Sequence, residues 1–160
     1  MSRTGIGYDS HRFGPGSSVR LGGVTIPFDR ALTGHSDGDA VAHALTDAVL
    51  GAAGAGDIGS HFPDTDPANR GRDSLEMLRT AVAIVRERGY LVEHVDATVI
   101  LERPKLAPHR DAMCAALGAA LGLEPREVSV KAKTNEGMGW IGRGEGIACI
   151  AVATLRAAGK

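Results

Sequence analysis

The sequence predicts a single α+β domain over residues 1–160, with a mixed or largely antiparallel four-stranded sheet and helices on one face, in a ferredoxin-like arrangement. The first observation behind this prediction is that apolar patterns of strand period and of helix period alternate along the chain. The second is that no composition break, internal repeat or low-complexity linker divides it. The third is its size, since 160 residues with 43% hydrophobic side chains suffice for one core.

Four main strands are predicted from apolar side chains that alternate with polar ones between turn residues. The first covers residues 2–12, and residues 19–28 form one or two further short strands bounded by proline and glycine. The second main strand covers residues 95–101. The third and fourth cover residues 128–133 and 147–155.

Three helices are predicted, the first and third from residues typical of helix starts and the second from apolar spacings of three and four residues. The first spans residues 40–50, with Ser36 as its expected N-terminal cap. The second begins at position 73 or 74 and ends at Gly89, and the third runs from Pro108 to about position 122. Residues 57–67 are rich in glycine and proline and too long for a simple connector, which predicts a functional loop.

Asp9, His11 and His43 form the most informative pattern. Asp9 and His11 lie two residues apart on a predicted strand and therefore project to the same face. With His43 from the first helix they make two imidazoles and one carboxylate, a ligand set typical of zinc with an open fourth position. Asp39 and Asp47 lie four residues on either side of His43 and could orient its ring. For Asp39 the alternative is helix capping. The alternative to a metal site is a solvated strand end with an unconnected helical histidine.

The glycine-rich segment 133–146 predicts an anion-binding loop, because glycine lets backbone amides approach a ligand closely. Thr134 offers a hydroxyl, Arg143 offers a fixed cation for phosphate, and Glu136 offers an oxygen ligand suited to magnesium or manganese. Together these groups suit a diphosphate. The alternative is a plain hairpin.

Composition excludes several classes of partner. A net charge of −1 without a basic stripe predicts neither nucleic acid nor a membrane as partner. The N-terminus shows neither a secretory nor a transit-like segment, which favours a cytoplasmic protein. Cys114 and Cys149 lie far apart in apolar surroundings and are expected to be buried free thiols.

Seven spaced motifs resemble the 2-C-methyl-D-erythritol 2,4-cyclodiphosphate synthase family, and they occur in order over nearly the whole chain. They are YDSHRF at 8–13, HSDGD at 35–39, HALTD at 43–47, DIG at 57–59, FPDTDP at 62–67, RPK at 103–105 and GRGEG at 142–146. The resemblance implies conversion of 4-diphosphocytidyl-2-C-methyl-D-erythritol 2-phosphate to the cyclic diphosphate and CMP in the non-mevalonate isoprenoid pathway. It also implies a homotrimer with active sites between subunits.

The resemblance further implies roles for individual residues. Asp9, His11 and His43 would hold zinc, while Glu136 would hold magnesium or manganese that bridges the diphosphate. His35 and Thr134 match the transition-state stabilisers. The residues implied to bind the methylerythritol part are His35, Ser36, Asp57, Ile58, Gly59, Phe62, Pro63, Asp64, Thr65, Asp66, Trp140 and Arg143. Those implied to bind the nucleotide are Leu101, Glu102, Arg103, Pro104, Lys105, Leu106, Ala107, Lys133, Thr134, Asn135 and Glu136.

The chain departs from the family pattern at Gly137, where lysine is frequent, at Trp140, where phenylalanine is frequent, and at Glu102 and Arg103. Two other classes of function remain open from the residues alone. Two histidines and one carboxylate also form the facial triad of non-haem iron oxygenases. A non-catalytic trimer that binds nucleotide or metal is the other alternative.

Overall fold

A computed structural model describes residues 1–159 of the chain. The strands are β1 (Ser2–Gly14), β2 (Ser18–Leu21), β3 (Val24–Pro27), β4 (Ala31–Leu32), β5 (Tyr90–Ile100), β6 (Val128–Lys133) and β7 (Gly146–Ala157). The helices are α1 (Ala40–Ala52), α2 (Ile58–His61), α3 (Ser74–Glu87), α4 (Arg110–Leu121) and α5 (Gly139–Gly142). Three short 3-10 turns cover Pro67–Asn69, Ala107–His109 and Pro125–Glu127.

The main sheet has five strands in the order β4-β1-β7-β5-β6, and β2 and β3 form a separate two-stranded hairpin. The mixed α+β sheet is confirmed, because β5 and β6 run parallel while the other pairs are antiparallel. The prediction of four strands is wrong. The two-residue strand β4, which pairs with the end of β1, adds the fifth.

The ferredoxin-like arrangement is also wrong. That arrangement has the element order β-α-β-β-α-β. Here two long helices, α1 and α3, lie between β1 and β5, and α4 connects β5 to its parallel neighbour β6. The final strand β7 then inserts between β1 and β5. A parallel pair requires a crossover connection, and α4 provides it.

The predicted elements otherwise match the structure closely. The strand predicted at residues 95–101 starts earlier, at Tyr90, and the segment 19–28, predicted as one or two short strands, forms two. The third helix is preceded by a 3-10 turn, and Gly122 ends it with a positive φ of 73°. That conformation favours glycine because a side chain would be strained there.

Helix α1 packs on β1, β7 and β5 and supplies much of the core. Small residues allow this close packing, since Gly5 and Gly7 of β1 lie against the backbone of Ala48 and Ala44. The α1 contacts bring the helix-facing side of β1 next to position 43. None of the helices within residues 1–159 is long and apolar enough to cross a membrane.

The opposite face of the sheet carries exposed apolar side chains. Ile6 and Tyr8 of β1 are 70% and 56% exposed, and Ile150 of β7 is 41% exposed. Tyr8 pairs directly with Ile150 in the β1–β7 register. Because side chains alternate across a strand, these residues point away from α1.

Candidate active site

Asp9, His11 and His43 converge at the end of β1 nearest α1. The Asp9 Oδ2 atom lies 2.8 Å from His11 Nε2 and 3.1 Å from His43 Nδ1. The two imidazole nitrogens are 3.3 Å apart. The structure thus brings together the three residues that the strand period and helix position predicted, and they form a candidate metal site.

The spacing of these three atoms fits a small tetrahedral cation. Zinc bonds to nitrogen and oxygen of about 2.0–2.2 Å place neighbouring tetrahedral ligands about 3.3 Å apart. The observed separations of 2.8 to 3.3 Å are close to that value. Two imidazoles and one carboxylate also match the ligand types that zinc prefers. The residues therefore fit a zinc ion with one position open.

In each of the two imidazoles, the nitrogen that faces away from the cluster makes a hydrogen bond of its own. His11 Nδ1 lies 2.8 Å from the carbonyl oxygen of Thr33, so this nitrogen donates and leaves Nε2 facing Asp9. His43 Nε2 lies 2.9 Å from Ser36 Oγ and 2.7 Å from Ser74 Oγ. Partners of this kind fix the ring orientation of metal ligands in proteins.

The electrostatics of the cluster favour a carboxylate at Asp9. Burial raises the pKa of Asp9, but hydrogen bonds and charge from His11 and His43 outweigh it and bring this pKa below its ordinary value. Burial lowers the pKa of His11, whereas its hydrogen bond with Asp9 and the Asp9 charge raise it, with a net rise. A cation placed between the three groups would take over the stabilising role of these protons.

The cluster lies at the floor of a cavity of about 450 Å³. Predicted residues that line it beside the cluster are His35, Ser36, Ile58, Gly59, Phe62, Pro63, Asp64 and Thr65. Part of the motif-bearing loop over residues 57–67 therefore forms one wall of the cavity. Gly34, Asn69 and Met77 also line the cavity and were missed. Met77 belongs to the apolar face of α3, where helical spacing alone indicates core.

Four residues predicted for this cavity lie elsewhere. Asp57 is exposed and caps α2, accepting a hydrogen bond from Ser60 N at 2.8 Å. Asp66 caps the turn Pro67–Asn69, and Trp140 lines a separate cavity with His11. Arg143 pairs with Glu145, with Nη2 2.9 Å from Oε2.

Two carboxylates near His43 accept hydrogen bonds from backbone amides and do not orient its ring. For Asp39 the alternative, helix capping, is confirmed. Asp39 accepts hydrogen bonds from Gly22 N, Gly23 N and Ala42 N, so it caps α1 and fixes the β2–β3 turn instead of orienting His43. Asp39 also replaces Ser36 as the cap of α1. Asp47 accepts from Ile58 N at 2.7 Å, so it positions the cavity loop.

A second cavity of about 200 Å³ lies near the end of β5. Eight of the predicted nucleotide residues line it, namely Leu101, Glu102, Pro104, Lys105, Leu106, Ala107, Lys133 and Thr134. Arg110 and Ala132 line it too and were missed. Arg103, Asn135 and Glu136 lie outside its lining, and no lining residue is shared with the first cavity.

Glu102 organises the loop that follows Thr134. Its Oε1 accepts hydrogen bonds from Asn135 N at 2.9 Å and from Gly137 N at 3.3 Å. Between those two amides, Glu136 has a φ of 53°, a conformation that few residues other than glycine adopt. The Glu102 carboxylate therefore holds the backbone on both sides of Glu136, whose own side chain is exposed.

Fold and site together define an α+β protein in which two histidines and one aspartate, a possible metal-ligand set, line a cavity of about 450 Å³. A family model described as the YgbB family matches residues 2–156. The chain belongs to this family.

Curated relatives carry a consistent description. The chain is 60% identical over 160 residues to the 2-C-methyl-D-erythritol 2,4-cyclodiphosphate synthase of Gemmatimonas aurantiaca, covering 100% of this chain and 96% of the relative. This similarity agrees with the family that the seven motifs indicated.

Solved structures share the fold over nearly the whole chain. A CDP-bound form of 2C-methyl-D-erythritol-2,4-cyclodiphosphate synthase has a TM-score of 0.88 and 42% identity, covering 96% of this chain and all of the other. The bifunctional IspDF of Campylobacter jejuni has a TM-score of 0.94 and 42% identity. The match covers 98% of this chain but only 42% of that longer protein.

Proposed function

We propose that the protein converts 4-diphosphocytidyl-2-C-methyl-D-erythritol 2-phosphate to 2-C-methyl-D-erythritol 2,4-cyclodiphosphate and CMP, as one synthase domain over residues 1–160. The observation that carries this proposal is the Asp9, His11 and His43 cluster, which opens on a cavity lined by the family's motif residues. The full-length similarity to synthases of that name supports it. The second cavity, near Lys105 and Lys133, supports a nucleotide diphosphate as the other part of the substrate.

The reaction is an intramolecular phosphoryl transfer. A bond forms between an oxygen of the substrate's 2-phosphate and its β-phosphorus, and the bond from that phosphorus to the oxygen of CMP breaks. The electron pair leaves with CMP, so neither a protein nucleophile nor water is needed. The protein's contribution is to fold the substrate into attack geometry and to offset the negative charge that accumulates.

Individual residues have distinct tasks in this proposal. Asp9, His11 and His43 hold zinc, and Glu136 holds magnesium or manganese. When bound, the two cations supply positive charge to the oxygens of the diphosphate. His35 and Thr134 stabilise the transition state by hydrogen bonding.

Binding of the two ends of the substrate falls to the two cavities. Ser36, Ile58, Gly59 and the loop through Thr65 orient the methylerythritol part, supported by their place in the first cavity. Backbone groups from 101 to 107 bind the cytosine, and the ammonium groups of Lys105 and Lys133 meet the phosphates, supported by their place in the second. We expect Asp57 and Arg143 to act only if the loops that carry them rearrange on substrate binding.

The assembly proposed is a homotrimer with active sites between subunits. Two observations support it: the metal cavity and the nucleotide cavity of one chain share no lining residue, and Ile6, Tyr8 and Ile150 expose an apolar sheet face. A second copy that covers this face could bring its nucleotide cavity against the first chain's metal cavity. We also propose a cytoplasmic location, because a multiply phosphorylated substrate does not cross a membrane unaided.

Phosphorus NMR tests the reaction directly. The zinc- and magnesium-loaded protein is incubated with the cytidyl substrate, beside His43→Ala and a control variant, Arg79→Ala, whose side chain is exposed on α3. We expect equal amounts of cyclic diphosphate and CMP from wild type and Arg79→Ala, and neither from His43→Ala. Binding of substrate without conversion under every divalent-metal condition would overturn the proposal in favour of a binding protein.

Subunit complementation tests the shared site. His43→Ala and Thr134→Ala are each inactive if both residues are required. When the two variants are unfolded together and refolded, mixed trimers regain activity only if one chain supplies His43 and its neighbour supplies Thr134. An inactive mixture that contains mixed trimers would place both residues of each site on one chain.

A further inference from the structure

A line of hydrogen bonds runs from the candidate metal site to the partly exposed side chain of Arg20. His43 Nε2 lies 2.7 Å from Ser74 Oγ, and that hydroxyl donates to Asp37 Oδ1. The other oxygen of Asp37 accepts from Ser74 N at 3.1 Å and lies 3.1 Å from Arg20 Nε. Arg20 also reaches Asp73, with Nη2 3.5 Å from Oδ1.

The proton positions along this line follow from the groups themselves. A carboxylate only accepts hydrogen bonds, so the single proton of the Ser74 hydroxyl is directed at Asp37. The Ser74 oxygen can then only accept from His43, which places a ring proton on Nε2. When a cation binds, Nδ1 is therefore the nitrogen that supplies a lone pair, and it is the nitrogen that faces Asp9 and His11.

We propose that Ser74 and Asp37 are positioning residues that fix the tautomer and orientation of His43 for metal binding, with Arg20 fixing Asp37. A histidine binds a cation through an unprotonated nitrogen. When the ring proton is held on Nε2, no free energy of metal binding is spent on moving it away from Nδ1. None of Arg20, Asp37 and Ser74 lines the cavity at the cluster, so a molecule bound in that cavity would not contact them.

The part of the network next to His43 is buried. Ser74 is fully buried and His43 is 9% exposed, so water does not compete for the hydrogen bond between them. Ser36 Oγ, 2.9 Å from the same nitrogen, has no carboxylate among its hydrogen bonds and so does not dictate the tautomer alone. Three separate segments, the β2–β3 hairpin, the stretch before α1 and the start of α3, supply the network.

Removing the Ser74 hydroxyl is the first test. Zinc affinity is measured by competition with a chromophoric chelator for wild type, Ser74→Ala and the control Thr46→Val. Thr46 also buries a hydroxyl, but this one donates to Ala42 O at 2.7 Å within α1 and has no tie to His43. We expect Ser74→Ala to lose about 10–100-fold in zinc affinity, the range found for lost outer partners of metal ligands. Thr46→Val retains the wild-type affinity.

The ring proton of His43 gives a second readout that does not depend on turnover. In zinc-loaded protein with isotope-labelled histidine, the Nε2–H resonance of His43 is identified by its loss in His43→Ala. We expect this proton to exchange slowly with water in wild type and much faster in Ser74→Ala. A lower melting temperature with unchanged zinc affinity and unchanged proton exchange would show that Ser74 only anchors α3, and would overturn the proposal.

Asp37→Asn keeps the test decisive if Ser74→Ala fails to fold. The amide preserves volume but can donate to Ser74, which frees the serine proton to point at His43 Nε2. We expect a several-fold loss of zinc affinity, and a wild-type affinity would overturn the proposal.

The catalytic consequence rests on the proposed function, and phosphorus NMR on the same samples separates the positioning role from that function. Zinc-loaded wild type without turnover defeats that function alone, whereas unchanged zinc affinity in an active variant defeats the positioning role alone.

Discussion

Gly7 of β1 lies so close to Ala44 of α1 that a β-carbon on Gly7 would overlap the Ala44 carbonyl oxygen. His43 directly precedes Ala44 on α1. Asp9 lies two residues after Gly7 and on the same face of β1. The distance between strand and helix at this glycine therefore sets the distance between Asp9 and His43, whose ligand atoms are 3.1 Å apart.

Gly7→Ala is expected to push α1 away from β1. Overpacking of this kind costs about 1–3 kcal/mol in the free energy of unfolding. Zinc affinity should fall as well, because His43 moves with the helix. The matched control is Gly51→Ala, where an added β-carbon meets nothing within 4 Å and removal of a helical glycine should stabilise by about 0.5–1 kcal/mol. Urea unfolding at one fixed protein concentration measures the free energy of unfolding of both variants. Equal stability of Gly7→Ala and wild type would contradict the prediction.

Glu102→Ala should weaken the response to magnesium. Without its carboxylate, Asn135 N and Gly137 N lose their acceptor, and Glu136 is no longer held in its left-handed conformation. We expect the magnesium concentration for half-maximal CMP release to rise about tenfold, within the range for lost outer partners. Zinc affinity should not change, since Asp9, His11 and His43 line another cavity.

Glu102→Gln is the matched control for that prediction. Its amide oxygen still accepts hydrogen bonds, so the magnesium requirement should rise less than in Glu102→Ala. If the two variants behave alike, the charge of Glu102 acts on the nucleotide or metal directly. If neither variant differs from wild type, the loop is held by other contacts.

Local patterns were sufficient for the long elements and for part of the candidate metal site. Strand alternation predicted that Asp9 and His11 share one face of β1, and His43 was proposed as the third ligand from its chemistry and its place in the first helix. The topology was not predictable in this way. Strand β4 has two residues and exists only because it pairs with Phe13 and Gly14, a contact that no local pattern carries. The same holds for the insertion of β7 between β1 and β5.

The hydrogen-bond partners of the site residues were also not predictable from the sequence. Sequence proximity favoured Asp39 and Asp47 as partners of His43, because they lie one helical turn away. The structure gives both to backbone amides and supplies Ser74, which is 31 residues distant in sequence. Side chains at helix starts are usually explained as caps, so Ser74 and Asp37 showed no signal of their own.

The two cysteines should differ in reactivity in the folded protein. Burial raises the pKa of the Cys149 thiol strongly, and the residue is fully buried on β7. Burial also raises the pKa of Cys114, which is only partly buried. Because the thiolate is the reactive form, we expect iodoacetamide to label Cys114 slowly and Cys149 only after unfolding. Peptide mass spectrometry measures both sites, with urea-unfolded protein as the control. Rapid labelling of Cys149 in the native protein would contradict its burial.

Ile150→Asp should separate assembly from metal binding. Ile150 lies beside Tyr8 on the exposed sheet face, and a charge buried there by a neighbouring copy would cost several kcal/mol. We expect sedimentation velocity to show a trimer for wild type and a monomer for Ile150→Asp. The control Ala83→Asp, at an exposed position of α3, should remain a trimer.

Zinc affinity should survive in the Ile150→Asp monomer, because Asp9, His11 and His43 come from one chain. Turnover should be lost, because the nucleotide cavity of a neighbour is missing. A monomeric wild type with full activity would show that one chain suffices, and a trimeric Ile150→Asp would place the subunit contact on another face.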